Sequence, residues 1–412
     1  MSSLPTDERF MSLALDEARR SIALASPNPH VGAVLVNSDG QVIASAHYTY
    51  DGVRHAEVLA LEQAGSSAKG ATLYCNLEPC SHHGRTGPCA EAVVGSGIRR
   101  VVIGMRDPNP LVDVGGIKIL LAAGIEVTED VLAVECRKLN ESFAAFIRTR
   151  RPLVTLKAGM TLDGKIAPPP GEADDPSTLG SPVTPGPPAM ATMGSSGGWI
   201  TSEEARAHVQ QLRHASDSIL VGVGTVVADD PMLTDRTGEP RRRPLLRVIL
   251  DSRLRLPLDS RLVKTCHDDV LVFCSFAEEK KKALLEARGV RVEQVPLGGP
   301  DGRPDLDLIL ARLGEMEIIS LLIEGGALVN WNALISDIVD KVFLYYAPKI
   351  LAGAGAVPFA AGRGFRRMSE AAQVRSISIH RFGEDFAVEG YIHDPYTLSA
   401  VEVTVAEDKA GV

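Results

Sequence analysis

Between Phe10 and Ala25 the apolar positions Leu13, Ala14, Ala18 and Ile22 recur with a period near 3.6, which predicts an amphipathic helix over 10–25. The pattern then changes. Val31 to Val36 is an unbroken apolar run of strand length, Ser38-Asp39-Gly40 reads as a turn, and 41–46 reads as the returning strand. A helix is expected from His55 to Ala64, stopped by Gly65. Strands follow at 71–76 and 101–104, and a long helix at 129–147. Pro88 suits a first helical position, which places Cys89 in a first turn. The order αββαβαβα predicts helices on both faces of a mixed sheet, an α/β domain.

The segment Arg148-Thr149-Arg150-Arg151-Pro152 is charged and ends in proline, the composition of a boundary. We therefore divide the chain into a first domain, 1–149, a second, 152–396, and a tail, 397–412. Strand-like runs recur in the second domain at 153–158, 218–222, 246–250, 270–274, 319–323 and 342–346, with helical stretches at 203–213, 278–288 and 327–335. This is a second α/β domain. No G-x-G-x-x-G follows its first strand, so a Rossmann dinucleotide site is not supported. The segment 168–198 is rich in proline, glycine, serine and threonine and is expected to be a flexible loop that forms no core.

Composition narrows the function. The 412 residues are 45% hydrophobic and 23% charged, ordinary for globular domains. The net charge of −9 argues against nucleic acid as partner, although a few local arginines suffice for one phosphate. No apolar run is long enough for a membrane span, and the first residues lack the pattern of a secretory signal. Six cysteines in a chain this long are weak evidence for disulfides, so a cytoplasmic, reducing setting is expected.

The chemistry concentrates in His55-Ala56-Glu57, Pro79-Cys80 and Pro88-Cys89. One histidine and two cysteines fill three positions of a tetrahedral zinc and leave the fourth for water, the arrangement of a catalytic site. Glu57 is placed to move protons without binding the metal. A structural zinc would need a fourth ligand, for which Cys75 is the candidate, but strand alternation points Cys75 and Cys80 to opposite faces. A buried histidine beside two core thiols is the plainer alternative. A helix start at Cys89 favours a thiolate there. H-x-E…P-C-x-x-C is the known zinc deaminase signature. Here eight residues separate Cys80 from Cys89 where that signature has two.

The longer spacing narrows the family. The run Asn76-Leu77-Glu78-Pro79-Cys80-Ser81-His82-His83-Gly84-Arg85-Thr86-Gly87-Pro88-Cys89 resembles the deaminase half of the bifunctional deaminase–reductase family of riboflavin biosynthesis. Ser26-Pro27-Asn28-Pro29-His30-Val31-Gly32 and Asp107-Pro108-Asn109-Pro110 resemble two more of its motifs. Leu156 to Lys165, Gly224 to Pro231, Ile323 to Ala327 and Ala347 to Leu351 resemble its reductase half. The resemblance implies a cytidine-deaminase-like α/β/α domain followed by a dihydrofolate-reductase-like α/β domain. It implies one zinc per chain and NADPH as cofactors, a diaminopyrimidinone ribosyl phosphate as substrate, and a homo-oligomer. By the same resemblance, Asn28, His47, His82 and Arg85 contact the deaminase substrate, with His83 in the same loop. Gly159, Trp199, Thr225, Asp229, Ser252, Gly326, Ala327 and Leu328 contact NADPH. Arg213, Leu233, Arg236 and Glu324 contact the reductase substrate, the two arginines as bidentate partners of its 5′-phosphate. Lys157 and Asp229 are the candidate proton handlers, and Trp199 has an alternative reading as a core residue. Gly197 stands where the family has a substrate-contacting serine, a role open to Ser195 or Ser196. The competing reading is a zinc nucleobase deaminase with a non-catalytic C-terminal binding or dimerisation domain.

Overall fold

The structure, a computed structural model, describes residues 6–82, 85–110, 115–169, 198–298 and 303–397. The first half contains α1 (Thr6–Arg19), β1 (Gly32–Val36), β2 (Val42–His47), α2 (Ala56–Ala64), β3 (Thr72–Cys75), α3 (Cys89–Gly95), β4 (Arg100–Ile103), α4 (Gly115–Ala122), β5 (Glu126–Thr128), α5 (Ala133–Leu139) and α6 (Glu141–Thr149). Its five strands lie in the order β2-β1-β3-β4-β5. β1 is antiparallel to β2 and β3, whereas β3, β4 and β5 are parallel. All of β1 is buried, because α1 packs directly on it. A side chain at Gly32 would place its Cβ 2.1 Å from Ala14 O, so the close helix–strand contact requires glycine.

Two elements depart from the hydrophobic pattern. The first helix ends at Arg19 rather than Ala25. The Ser21 hydroxyl bonds Ala18 O at 2.6 Å and faces His30 Nδ1 at 3.0 Å, and this local bonding competes with helix continuation. The single helix expected over 129–147 is two helices, broken at Asn140. The buried Asn140 side chain accepts from His30 N at 2.8 Å and donates to His30 O at 3.1 Å. It thereby pins the loop that precedes β1.

The second half contains β6 (Leu153–Thr161), β7 (Lys165–Ala167), α7 (Glu203–Ala215), β8 (Ser218–Gly222), α8 (Val223–Asp229), β9 (Leu246–Leu250), α9 (Arg261–Lys264), β10 (Val270–Cys274), α10 (Glu279–Glu286), β11 (Arg291–Gln294), α11 (Leu306–Glu315), β12 (Ser320–Ile323), α12 (Ala327–Ile335), β13 (Lys341–Ala347), β14 (Val357–Pro358), β15 (Arg375–Phe382) and β16 (Asp385–Tyr391). Nine strands form one sheet in the order β11-β10-β9-β8-β12-β6-β13-β16-β15. The seven from β11 to β13 are parallel, and β16 and β15 complete the sheet antiparallel. Parallel strands covered on both faces are apolar throughout, as β10 is, with all five residues buried.

Charged contacts join the halves. Lys341 Nζ lies 2.5 Å from Glu141 Oε1 of the first half and 2.8 Å from Glu389 Oε1 of its own. The Tyr391 hydroxyl donates to Glu141 Oε2 at 2.5 Å, and Lys138 pairs with Glu389 at 2.7 Å. The expected loop 168–198 lies outside the described residues except for Pro168, Pro169 and Gly198, so Ser195, Ser196 and Gly197 carry no structural account. All of the 397–412 tail but Thr397 lies outside them too. Among the described residues no helix is long and apolar enough to cross a membrane.

Candidate active sites

Two helix starts and one loop converge on the zinc motif. His55 is the N-cap of α2, so Glu57 falls in its buried first turn. Pro88 caps α3 one position earlier than its usual place inside a helix, and Cys89 is the first helical residue. Cys80 lies in an irregular stretch after β3 that Glu78 anchors. Glu78 Oε1 accepts from Ile117 N at 3.1 Å and Oε2 from Asp107 N at 3.3 Å. This ties the Glu-Pro-Cys run to the Asp107-Pro108-Asn109-Pro110 turn.

The donor atoms of His55, Cys80 and Cys89 lie within 4.8 Å of one another. His55 Nδ1 is the nitrogen that faces both sulfurs, at 3.0 Å from Cys89 Sγ and 3.5 Å from Cys80 Sγ. Cys75, buried in β3, is not in this group. The start of α3 reaches the second sulfur as well. Cys89 N, the first helical N–H, donates to Cys80 Sγ at 3.3 Å, so the helix start serves the other sulfur. The Cys89 thiol bonded to Cys80 holds Cys80 well below the ordinary thiol range and Cys89 above it. A soft S₂N donor set of this size fits zinc, and one thing more points the same way. Glu57 Oε2 is buried and has no hydrogen-bond partner among the described residues. Burial pushes that carboxyl up to about 7.

Around the cluster, Tyr48 is the residue that sequence reasoning missed. Its ring stands edge-on to His55 with centroids 5.5 Å apart. Its hydroxyl accepts from Asn28 Nδ2 at 2.6 Å and from Arg85 Nη2 at 2.8 Å. Asn28 and Arg85 are thus brought together beside the metal motif. His47, one residue earlier and therefore on the opposite face of the chain, turns to Glu17 Oε2 at 3.1 Å. His82 is exposed, and His83 lies outside the described residues. What marks Tyr48 out is its burial beside His55, which only the fold reveals.

In the second half the expected cofactor residues cluster where parallel α/β sheets bind ligands, past the carboxyl ends of adjacent strands. Thr225 follows β8, Ser252 follows β9, Gly326 follows β12, and Gly159 lies late in β6. Gly326 is the N-cap of α12, and a Cβ there would sit 3.5 Å from Thr225 Oγ1, which leaves a narrow cradle between two helix starts. Exposed N–H groups at such a start suit a phosphate. Ala327 is buried and Leu328 half-exposed in the first turn of α12. Asp229 lies at the far end of the short helix whose first turn holds Gly224 and Thr225. It is the last residue of α8, and burial raises its carboxyl. Trp199 is 59% exposed, with the Arg206 guanidinium 4.7 Å from its ring centre, so the core reading is wrong.

Glu324 organises the neighbouring residues. Arg213 grips it with Nε at 2.7 Å and Nη2 at 3.0 Å, and Lys157 Nζ lies at 3.2 Å. Burial alone would raise this carboxyl, but Lys157 and then Arg213 hold it down at about 2. Arg213 Nη1 donates to Thr234 O at 3.1 Å, so its fork is spent inside the protein rather than offered to a phosphate. Arg236 is exposed in the same loop. Leu233 is buried there with φ 54, a left-handed conformation that costs a branched residue strain.

Comparison with known proteins gives the same two parts. Residues 4–105 match the cytidine and deoxycytidylate deaminase zinc-binding region, and residues 189–388 match the RibD C-terminal domain. Riboflavin biosynthesis protein RibD of Actinobacillus pleuropneumoniae is 38% identical over 95% of this chain and 96% of its own. The Escherichia coli protein of that name is 35% identical over 92% of this chain and 97% of its own. Among solved structures, Acinetobacter baumannii RibD is similar with a TM-score of 0.76 and 33% identity, covering 94% of this chain and 99% of that one. A diaminohydroxyphosphoribosylaminopyrimidine deaminase/5-amino-6-(5-phosphoribosylamino)uracil reductase from Thermotoga maritima is similar at 0.74 and 34%, covering 94% and 98%. With relatives this alike along nearly its whole length, the chain belongs to the RibD family of riboflavin biosynthesis proteins.

Proposed function

We propose that the first half hydrolytically deaminates 2,5-diamino-6-(5-phosphoribosylamino)pyrimidin-4(3H)-one and that the second half reduces the ribosyl chain of the product with NADPH. The end product is 5-amino-6-(5-phosphoribitylamino)uracil. The observation that carries the reading is the convergence of His55, Cys80 and Cys89 beside a buried Glu57 whose second oxygen lacks a partner among the described residues. His55, Cys80 and Cys89 would hold a zinc ion, which would supply an acidified water beside the amino-bearing ring carbon. Glu57 would be the group that accepts the water's proton, passes it to the ring nitrogen and assists loss of ammonia. A carboxyl near 7 gives and takes a proton at similar cost, which suits both transfers. Asn28 and Arg85, held by Tyr48, orient the pyrimidine and its ribosyl phosphate.

In the second half, NADPH supplies the hydride that reduces C1′ of the opened ribose. Gly159, Trp199, Thr225, Ser252 and the Gly326–Leu328 turn hold the cofactor. Glu324, Leu233 and Arg236 hold the substrate, with Arg236 taking the 5′-phosphate in place of the engaged Arg213. Lys157 and Asp229 are the groups placed to deliver the proton that accompanies the hydride. The exposed edge strand β15, where Ile377 is 57% and Ile379 67% exposed, supports a homo-oligomer that covers it. All six cysteines are free, which supports a reducing cytoplasm. The test is incubation with the diaminopyrimidinone phosphate, with and without NADPH, and identification of products by mass. Deamination without NADPH and the ribityl product with it are expected. Deamination with no NADPH consumption would instead support a non-catalytic second half.

A further inference from the structure

The walls of the deaminase site are fastened to the second half of the chain, and one residue there, Arg242, reaches both of them. Ser26, two residues before Asn28, accepts from Arg242 Nη1 at its backbone oxygen, 2.8 Å away. Arg242 N donates to Ala23 O at 3.0 Å, in the same loop. Arg243 Nη2 donates to Ser26 Oγ at 2.9 Å, and that hydroxyl donates to the buried Asp217 at 2.8 Å. The loop that carries Asn28 is therefore held from the second half at Ala23 and again at Ser26.

The other wall is held through a ring. The Arg242 guanidinium carbon lies 3.5 Å from the centre of the Tyr50 ring, and that of Arg85 lies 4.1 Å from the same centre. Two guanidiniums this close to one ring fit only on opposite faces. Both gain from the π-face, and Asp51, 3.5 Å from Arg242 Nε, offsets part of their mutual repulsion. Arg85 also donates to Tyr50 O at 2.9 Å and to the Tyr48 hydroxyl at 2.8 Å. Arg242 thus fixes the loop of Asn28 directly and the plane of Arg85 through Tyr50.

Building on the proposed deaminase reading, we infer that Arg242 is a positioning residue of the deaminase, although it belongs to the other half of the chain. It touches neither the zinc donors nor Glu57, so it sets how well substrate is held and not how fast the bond breaks. Its loss acts on KM, because the groups it steadies bind ground state and transition state alike.

The test uses full-length, zinc-loaded protein. Arg242→Ala is expected to raise the deaminase KM about tenfold and to leave kcat within about twofold, the scale of a lost stacking contact and one hydrogen bond, since the backbone bond to Ala23 survives. Zinc content and reduction of separately supplied deaminated intermediate should stay at wild-type values. Tyr50→Leu, which removes the shared ring, should reproduce the rise, whereas Tyr50→Phe, which keeps it, should not. The double variant Arg242→Ala/Tyr50→Leu should add less than the sum of the singles, as coupled residues do. If Arg242→Ala folds poorly, the Tyr50 pair decides alone. An unchanged KM in folded Arg242→Ala or Tyr50→Leu overturns the inference, and so does a fall in kcat at constant KM. Wild-type protein that releases no ammonia would instead overturn the deaminase reading on which this rests.

Discussion

Glu324→Gln removes one charge from a three-member group and leaves two cations facing each other almost without solvent. The Glu324 carboxylate is 9% exposed, between Lys157 at 15% and Arg213 at 12%. Burial raises its pKa, yet Lys157 and Arg213 bring it from the ordinary 4.5 to about 2. A gap of about 2.5 units at about 1.36 kcal/mol each corresponds to about 3 kcal/mol of folding stability. That agrees with the roughly 3–5 kcal/mol lost when one partner of a buried ion pair is removed. Because the folded pKa lies below the unfolded one, this stability is complete above about pH 4.5. It is lost as the pH falls toward 2. Both tryptophans, Trp199 and Trp331, lie in the second half, so their fluorescence follows that half through urea unfolding. At pH 7 the variant should unfold with about 3 kcal/mol less stability than wild type. At pH 3 the difference should shrink to roughly two-fifths of that. Reduction of the supplied intermediate should fall while deamination persists. Equal stability at pH 7, or a gap that does not change between pH 7 and pH 3, refutes the assignment of the charge group.

Glu57→Gln should retain zinc and lose ammonia release by at least about 10²-fold, since the amide keeps the shape but cannot carry the proton. Its reductase turnover should match wild type, and near-normal deamination would remove Glu57 from the chemistry. Cys80→Ser should lose zinc by elemental analysis, whereas Cys266→Ser, whose sulfur bonds Gly289 O far from the cluster, should keep it. Equal loss in both would sink the donor assignment. Gly325→Ala would place a Cβ 2.5 Å from Val329 Cβ and push α12 from its seat. It should cost about 1–3 kcal/mol and raise the KM for NADPH, with deamination unaffected. An unchanged KM would separate this helix start from cofactor binding.

The readable and unreadable elements differ in how local their causes are. The runs 218–222, 246–250 and 270–274 have the bounds of β8, β9 and β10, because strands buried on both faces are mostly apolar; the exception, Arg247 in β9, is buried with its guanidinium held by Thr265 and Asp269. β15 was not read, since Arg375-Ser376-Ile377-Ser378-Ile379 lies at an exposed edge and carries no apolar run. The break at Asn140 was missed because its cause is His30, over a hundred positions away. The same holds at the site. The donors His55, Cys80 and Cys89 announce themselves by spacing, and the structure brings their atoms together. Tyr48, Tyr50 and Arg242 were invisible because tyrosines and arginines in turns have many uses, and only the folded contacts select one. The resemblance assigns Arg213 to the substrate phosphate, but neither the resemblance nor the residue type reveals that its guanidinium grips Glu324 in the fold.

The buried junction at Lys341 bears on how such a protein could ever be taken apart. Its ammonium sits between a carboxylate from α6 and one from β16, and Tyr391 closes the group from the same side. A chain cut near Arg150 would yield a first fragment with Glu141 stripped of its cation. The second fragment would open Lys341 and Glu389 to water. Neither piece would inherit a finished surface. Once in water, the three charges would be hydrated rather than stranded, so what a cut removes is the pairing that fixes α6 against β16 and not the solubility of either piece.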